Sequence, residues 1–284
     1  MIWWQPCRPR DLGDDNARAV RQHQPMKYAV YAMVFLLAAC GGRSPSPTVA
    51  VPAAIAAPNF TDADPHDYQG RSPARYAVHG TDTSRFQTHV DWSAARANGV
   101  NFAYVKATEG GDFFDPLFAE NFQAARRAGV RVGAYHFWYH CRPGVEQARW
   151  FIRNVPRAAG ALPPVVDVEW TPFSPTCTRR PPGPEVRREV EAFMDALEAH
   201  YGQRPLVYVS PDIYADAGLS QLRGAEFWLR SVAGHPSEVY PGQGWTFWQY
   251  SGTGGIPGIA GKADLNVFAG SARGWAEWLA IRAQ

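Results

Sequence analysis

Residues 164–210 read PVVDVEWTPFSPTCTRRPPGPEVRREVEAFMDALEAHYGQRPLVYVS, and this stretch contains the pattern that decides the fold. Its first seven residues are mostly apolar, as is typical of a buried strand, and 206–210 form a second such segment. Between them, a helix opens at Pro184 and ends before Gly202, with its apolar residues on a single face. A strand, a helix that packs on one side and a second strand predict parallel pairing with the helix outside the sheet.

The same alternation extends in both directions from this unit. We predict eight strands, at 76–82, 102–108, 130–138, 164–170, 206–210, 226–232, 245–250 and 262–265. Eight strands in about 200 residues favour a closed α/β barrel over an open sheet. After residue 210 the connections are short and rich in Gly and Pro. We therefore expect an irregular (β/α) barrel, TIM-like, with short or missing helices and partly antiparallel pairing among the last strands.

The composition of the 284-residue chain excludes two classes of protein. Hydrophobic residues make up 46% and charged residues 19%, which rules out wholesale disorder. Lys and Arg number 28 against 26 Asp and Glu, so a net charge of +2 provides no basic face for nucleic acid. Aromatic residues make up 13% of the chain, and they can either fill a core or stack on sugar rings.

The N-terminal stretch predicts export. Residues 28–39 are apolar but too few for the ~20 residues that a membrane span needs. They follow Met26-Lys27 and end in LAAC at 37–40, which is typical of a signal peptide with a small-residue cleavage site. These four residues resemble a bacterial lipobox, which implies cleavage before Cys40 and lipid attachment to its sulfur. A plain secretory peptide is the alternative.

These features divide the chain into four parts. We expect residues 1–25 to lie upstream of the true start, 26–39 to be the signal peptide and 75–284 to form the barrel. Residues 40–74 would be a lipidated cysteine and a flexible linker, because they are rich in Pro, Ala, Ser and Asp. The mature protein would then be anchored in a membrane and face the periplasm or the cell exterior.

Two cysteines, Cys141 and Cys177, fall within the expected barrel. In an exported domain two cysteines most simply form one disulfide, and each of these follows a predicted strand, so the bridge would join neighbouring loops. A zinc site is the alternative, because His136 and His140 lie near Cys141. Their spacing matches no common zinc signature.

Acidic residues stand at the ends of four predicted strands, where α/β barrels place their chemistry. They are Asp82, Glu109, Asp264 and the pair Asp167 and Glu169. Residues i and i+2 of a strand point to one face, so the pair would lie side by side, about 7 Å apart along the strand. Two neighbouring carboxyls raise the pKa of one of them, which then donates a proton near neutral pH.

A proton donor beside a carboxylate is what glycoside hydrolysis requires. The alternative for Asp167 and Glu169 is a solvated pair at a strand end, or a pair bridged to Arg179 or Arg180. The motif Asp-x-Glu alone is weak, and its weight comes from the strand context and from the other acids.

Seven motifs occur in order along residues 78–270: Gly80-Thr81-Asp82-Thr83-Ser84, Val90-Asp91-Trp92, Lys106-Ala107-Thr108-Glu109-Gly110, Gly133-Ala134-Tyr135-His136-Phe137, Asp167-Val168-Glu169, Trp248-Gln249-Tyr250-Ser251 and Ala263-Asp264-Leu265-Asn266. Together they resemble family 25 of the glycoside hydrolases, the muramidases or lysozymes. The resemblance implies an irregular (β/α) barrel and cleavage of the β-1,4 bond between N-acetylmuramic acid and N-acetylglucosamine in peptidoglycan. It implies no cofactor and no metal.

By position, Glu169 resembles the family's general acid and Asp167 its partner on the same strand. Asp264 would support them or act as nucleophile, and Asp82 would orient the sugar and tune Glu169. The attacking group stays open between a carboxylate and the substrate's own 2-acetamido oxygen. In the second case Asp167 would position the acetamido nitrogen.

Other residues near the strand ends have expected supporting roles. Lys106 and Glu109 are interpreted as an ion pair at the rim, and His136 as a hydrogen-bonded neighbour rather than a base. Three aromatic residues are expected to form sugar-contacting walls, with ordinary barrel packing as the alternative: Tyr135, Trp248 and Tyr250.

Two other functions stay open. One is hydrolysis of another acetamido-sugar polymer such as chitin, although barrel chitinases carry acids further upstream, where this chain has Pro163 and Val165. The other is a non-catalytic lipoprotein that binds peptidoglycan. The expected partners are peptidoglycan strands and, through Cys40, a membrane, with no nucleic acid.

Overall fold

The eight predicted strands are present and close into a barrel. The computed structural model describes residues 54–283. This range contains ten strands: β1 (Thr61–Asp62), β2 (His79–Thr83), β3 (Phe102–Glu109), β4 (Phe113–Phe114), β5 (Arg131–Phe137), β6 (Val165–Val168), β7 (Leu206–Val209), β8 (Glu226–Arg230), β9 (Phe247–Gly255) and β10 (Ala263–Phe268). The expected start at Met26, the signal peptide 26–39 and the lipidation site Cys40 lie outside the described residues.

The barrel is mixed, as the short late connections predicted. Neighbouring strands pair in parallel from β2 through β3, β5, β6, β7 and β8 to β9. Strand β10 closes the barrel and pairs antiparallel with both β9 and β2. The two shortest strands lie outside the ring, β4 against β3 and β1 against the far end of β9.

Helices cover the outside of the barrel, and the two between β7 and β9 are short. The described chain has seven α-helices: α1 (Trp92–Ala97), α2 (Phe118–Arg127), α3 (Gly144–Asn154), α4 (Gly183–Tyr201), α5 (Pro211–Ala217), α6 (Pro236–Val239) and α7 (Ala272–Arg282). The predicted apolar face of α4 is buried, and Gly202 ends this helix in the left-handed conformation. None of the helices between residues 54 and 283 combines the length and the apolar character that crossing a bilayer requires.

The interior of the barrel is filled by side chains that alternate with the outward-facing ones along each strand. Its lower part is apolar and contains Phe102, Tyr104, Val165, Leu206, Trp228 and Phe247. Such large side chains need small neighbours, and a Cβ atom at Gly133 would lie 2.3 Å from Cε1 of Tyr104. Helix α7, which the sequence pattern did not predict, closes this end with Trp275. The apolar floor leaves only the opposite end for polar chemistry.

Part of the expected linker belongs to the folded unit. Strand β1 pairs with β9, and the backbone N–H of Ala56 donates to Oδ1 of Asn101 (2.9 Å). The ring of Tyr68 meets that of Trp248 at a centroid distance of 5.0 Å, and its hydroxyl donates to the carbonyl of Tyr250 (2.6 Å). The expectation of a flexible linker is therefore corrected for residues 54–74, where composition missed a few well-placed contacts.

We predict that Tyr68→Ala lowers the free energy of unfolding by about 2 kcal/mol, because it removes an aromatic contact and the hydrogen bond to the carbonyl of Tyr250. Tyr68→Phe keeps the ring and is expected to lose about 1 kcal/mol. Urea denaturation of the three proteins measures both values. Equal stability of all three would contradict the view that this segment stabilises the barrel.

Candidate active site

A cavity of about 310 Å³ opens at the carboxyl ends of the parallel strands. All four predicted catalytic acids line it: Asp82, Asp167, Glu169 and Asp264. The other lining residues are Thr83, Ser84, Phe86, Gln87, Lys106, Tyr135, Phe137, Val165, Tyr208, Trp228, Arg230 and Gln249. Acids that are far apart in the sequence therefore meet at one end of the barrel.

Strand direction explains how the acids meet. Asp82 lies near the end of β2, Asp167 lies in β6, and Glu169 follows the last residue of β6. Asp264 is the second residue of β10, which runs antiparallel to its neighbours. Because β10 is reversed, its beginning reaches the same mouth as the ends of the parallel strands. The predicted same-face placement of Asp167 and Glu169 agrees with their shared cavity.

Asp82 is the most firmly held of the four carboxyls. Its Oδ1 accepts hydrogen bonds from Nδ2 of Asn266 (2.8 Å) and Nε2 of Gln249 (3.2 Å). These amides are fixed in turn, since Trp228 donates to Oδ1 of Asn266 and Tyr208 donates to Oε1 of Gln249, both at 2.9 Å. Burial raises the pKa of Asp82 to about 6, although both amide bonds oppose the shift.

Asp264 is a hydrogen-bonding neighbour of Asp82. Burial raises the pKa of Asp264 to about 8, and the negative charge of Asp82 is the next cause. The hydrogen bond between the two groups raises the pKa of Asp264 and lowers that of Asp82. At neutral pH the two carboxyls therefore share a proton, and the higher pKa of Asp264 favours its protonated form.

Asp167 and Glu169 are both shifted towards the protonated form. Burial, followed by the charge of Glu169, raises the pKa of Asp167 well above its usual value. Oδ1 of Asp167 is buried without a hydrogen-bond partner. Burial also raises the pKa of Glu169, an effect that the Arg230 cation opposes. Burial therefore favours the protonated form of both carboxyls that β6 brings to the cavity.

Two cations, Lys106 and Arg230, balance the acids. Lys106 forms the predicted ion pair with Glu109 and lies 4.5 Å from the centroid of the Phe137 ring. Burial acts to raise the pKa of Glu109, but the hydrogen bonds from Lys106 and Tyr139 lower it overall. Lys106 lines the cavity, whereas Glu109 does not. The ion pair at the rim therefore also holds the Lys106 cation beside the four acids.

A family model described as glycosyl hydrolases family 25 matches residues 81–259. The chain belongs to this family. Lysozyme M1 of Streptomyces globisporus is 33% identical over 206 residues, 69% of each chain. The uncharacterized protein YegX of Escherichia coli K12 is 34% identical over 220 residues, 71% of this chain and 73% of that one.

Solved structures agree with this assignment. A family 25 glycosyl hydrolase from Bacillus anthracis superposes with a TM-score of 0.68 and 34% identity, over 76% of this chain and 98% of that one. The irregular barrel and its membership of family 25 are therefore both confirmed, and the protein is a glycoside hydrolase.

The predicted aromatic walls of this family 25 barrel are placed differently. Tyr135 lines the cavity, but Trp248 and Tyr250 do not. Trp248 has no exposed surface, and its Nε1 donates to the carbonyl of Ser231 (2.8 Å). Both side chains lie on the outer face of β9, because Gln249 between them points inward. This corrects their expected contact with sugar.

Several lining residues were not anticipated. Sequence reasoning missed the cation Arg230, and it missed four aromatic residues: Phe86, Phe137, Tyr208 and Trp228. Phe86 is 72% exposed at the mouth. The alternation of β7 and β8 could have identified Tyr208, Trp228 and Arg230, since each lies in phase with the inward face of its strand.

The loops beside the mouth are joined by the predicted disulfide between Cys141 and Cys177, with Cα atoms 5.7 Å apart. His136 is buried, and its ring contacts Oγ1 of Thr108 (2.7 Å) and Oε1 of Gln147 (3.0 Å), as expected of a structural neighbour. Within residues 54–283, no group of three or more His, Cys, Asp or Glu side chains could hold a metal ion. The zinc alternative therefore finds no support there.

We predict that Asp264→Asn stabilises the fold increasingly as the pH rises from 4 to 8. The pKa of this carboxyl is about 8 in the fold against an ordinary value of 3.8. Between these values the folded state binds more protons than the unfolded state, so wild-type stability falls with rising pH. The amide does not titrate and removes this loss.

Urea denaturation at pH 4, 6 and 8 measures the effect, with Asp64→Asn at an exposed site as the matched control. A difference between Asp264→Asn and wild type that stays constant across these pH values would contradict the protonated state assigned to Asp264.

Proposed function

We propose that the protein is a muramidase, which cleaves the β-1,4 bond between N-acetylmuramic acid and N-acetylglucosamine in peptidoglycan. The observation that carries this proposal is the gathering of four carboxyl groups with raised pKa values in one cavity. Similarity to proteins named lysozyme and N,O-diacetylmuramidase supports the choice of substrate.

In the proposed reaction Glu169 is the general acid. Burial raises its pKa, which favours the protonated form, and its position just beyond β6 places it at the mouth rather than on the floor. Glu169 protonates the glycosidic oxygen as the bond from that oxygen to C1 breaks. The resulting carboxylate then removes a proton from the water that completes the hydrolysis.

We propose that the substrate's own 2-acetamido oxygen attacks C1 and that Asp167 positions this group. Asp167 lines the cavity, so its carboxyl group is placed to accept a hydrogen bond from the acetamido N–H of a bound sugar. Ionisation of Asp167 on substrate binding would also stabilise the positive charge that develops on the acetamido nitrogen.

Asp82 and Asp264 have supporting roles in this scheme. The fixed Asp82 carboxylate orients the sugar, and Asp264 shares its proton with it. Their combined charge of about −1 at neutral pH stabilises an oxocarbenium-like centre without overwhelming Lys106 and Arg230. Direct attack by Asp264 on C1 is the competing assignment.

Two other functions compete with this proposal. In a chitin hydrolase of the barrel type, an additional acid would stand upstream on β6, whereas Val165 occupies the cavity floor here. A non-catalytic peptidoglycan-binding protein would have no need for carboxyls that burial keeps protonated at a cost in stability.

We further propose that the enzyme is exported and anchored through lipid on Cys40, as the sequence at 26–40 predicts. The anchor would hold the hydrolase beside the cell wall on the periplasmic or exterior side of a membrane. Labelling with radioactive palmitate tests this point, with loss of label expected in Cys40→Ser.

We predict that Glu169→Gln abolishes turnover and retains the fold, because an amide of the same size cannot donate a catalytic proton. Peptidoglycan is incubated with the purified full chain, and the products are reduced with borohydride and identified by mass spectrometry. Wild type should yield reduced N-acetylmuramic acid ends, with at least a ~10³-fold loss in the variant.

Reduced N-acetylglucosamine ends would make the enzyme a glucosaminidase, and products from chitin alone would favour the competing hydrolase. Binding of peptidoglycan by wild type without any product would favour the non-catalytic function.

We predict that removal of the N-acetyl group from muramic acid blocks cleavage, because the attacking oxygen is then absent. The test compares soluble glycan strands before and after enzymatic N-deacetylation at muramic acid. Unchanged kcat on deacetylated strands would contradict substrate assistance and favour a carboxylate nucleophile such as Asp264.

A further inference from the structure

The backbone of Glu169 lies just beyond the end of β6, where the regular hydrogen bonds of the sheet stop. Strand β6 ends at Val168, one residue earlier. The last backbone bond from the β5 side joins the N–H of Trp138 to the carbonyl of Asp167 (2.9 Å). If the parallel ladder continued, the next bond donated from the β5 side would run from the backbone N–H of His140 to the carbonyl of Glu169. That carbonyl instead lies 3.1 Å from Nε2 of the His140 side chain.

The direction of this contact follows from the other nitrogen of the ring. Nε1 of Trp138 donates to Nδ1 of His140 (3.2 Å), and an indole nitrogen can only donate. Nδ1 therefore carries no proton, so Nε2 carries one and donates it to the Glu169 carbonyl. Burial lowers the pKa of His140 to about 4, which keeps the ring neutral at physiological pH.

His140 is itself held from three sides. Its neighbour Cys141 is bonded to Cys177, in the loop that follows Glu169. The guanidinium of Arg179 donates to the carbonyl of His140 (3.2 Å) and pairs with Glu185 of α4 (2.7 Å). The ring also lies against Trp170, with centroids 4.8 Å apart, so the residue after Glu169 is supported by the same side chain.

His140 acts on the reaction only through Glu169. It is 4% exposed and does not line the cavity, so it cannot contact a sugar there. We infer that His140 is a positioning residue that fixes the backbone of the general acid Glu169, with the Cys141–Cys177 bridge holding it in place. This inference rests on the proposed function, since it takes Glu169 as the proton donor.

The test is steady-state kinetics of the purified full chain on soluble, uncrosslinked glycan strands of alternating N-acetylglucosamine and N-acetylmuramic acid. His140→Phe keeps a ring of similar size and removes the bond to Glu169. We expect kcat to fall ~10–100-fold with KM unchanged, because a displaced acid impairs the chemical step rather than binding.

Two further variants separate positioning from stability. His140→Gln restores a donor and an acceptor about as far apart as the two ring nitrogens, and its kcat should return to within about fivefold of wild type. His79→Phe is the matched control: His79 is also buried, its Nε2 lies 3.0 Å from the carbonyl of Tyr76, and it does not line the cavity. Its kcat should match wild type.

The outcomes are distinct. Wild-type kcat in folded His140→Phe, or equal losses in His140→Phe and His79→Phe, would overturn the inference, as would failure of His140→Gln to restore kcat. If His140→Phe does not fold, His140→Asn decides, since its side chain is one methylene shorter than that of Gln and its amide cannot reach both partners: a loss of kcat at unchanged KM supports the inference and wild-type kcat overturns it. A wild-type chain that releases no reducing ends would overturn the proposed function and this inference with it.

Discussion

Four carboxyl groups share one cavity with two cations among its lining residues in the described part of the chain, and the rest of the structure accommodates this arrangement. Because burial penalises the charged form, the acids cannot all ionise at neutral pH. Three features reduce this cost: side-chain amides donate hydrogen bonds to Asp82, Asp82 and Asp264 share a proton, and the cations Lys106 and Arg230 lie nearby. Buried carboxyl groups that would destabilise an ordinary core are here a source of protons beside a sugar-sized cavity.

The barrel makes this source of protons possible by separating its two ends. Large, mostly apolar side chains fill the lower interior, and α7 closes it, so that the four carboxyl groups collect at the mouth. Strand β10 runs antiparallel to its neighbours, so Asp264 near its beginning lies at that mouth. In a parallel strand, a residue near the beginning would lie at the opposite end of the barrel. The reversed last strand is therefore part of the site as well as of the barrel closure.

Much of this architecture could be predicted from the sequence. The apolar stripe of α4 and the period-2 placement of Asp167 and Glu169 are local patterns that tertiary packing preserves. Which side chains of β9 point into the barrel was not predicted, because a shift of one residue along a strand moves every side chain to the opposite face. In the structure Gln249 lines the cavity, whereas Trp248 and Tyr250 pack outside the barrel. Composition likewise missed residues 54–74, because a few contacts such as those of Tyr68 fix a segment that is polar overall.

The central claim is that the mouth of the barrel retains carboxyl protons at neutral pH, and infrared spectroscopy of the protonated carboxyl C=O stretch tests it most directly. With isotope-labelled Asp and Glu, wild type at pH 7 should show a protonated carboxyl signal, and the part of that signal that Asp264→Asn removes should disappear as the pH rises through about 8. Fully ionised carboxylates at pH 7 would contradict the account.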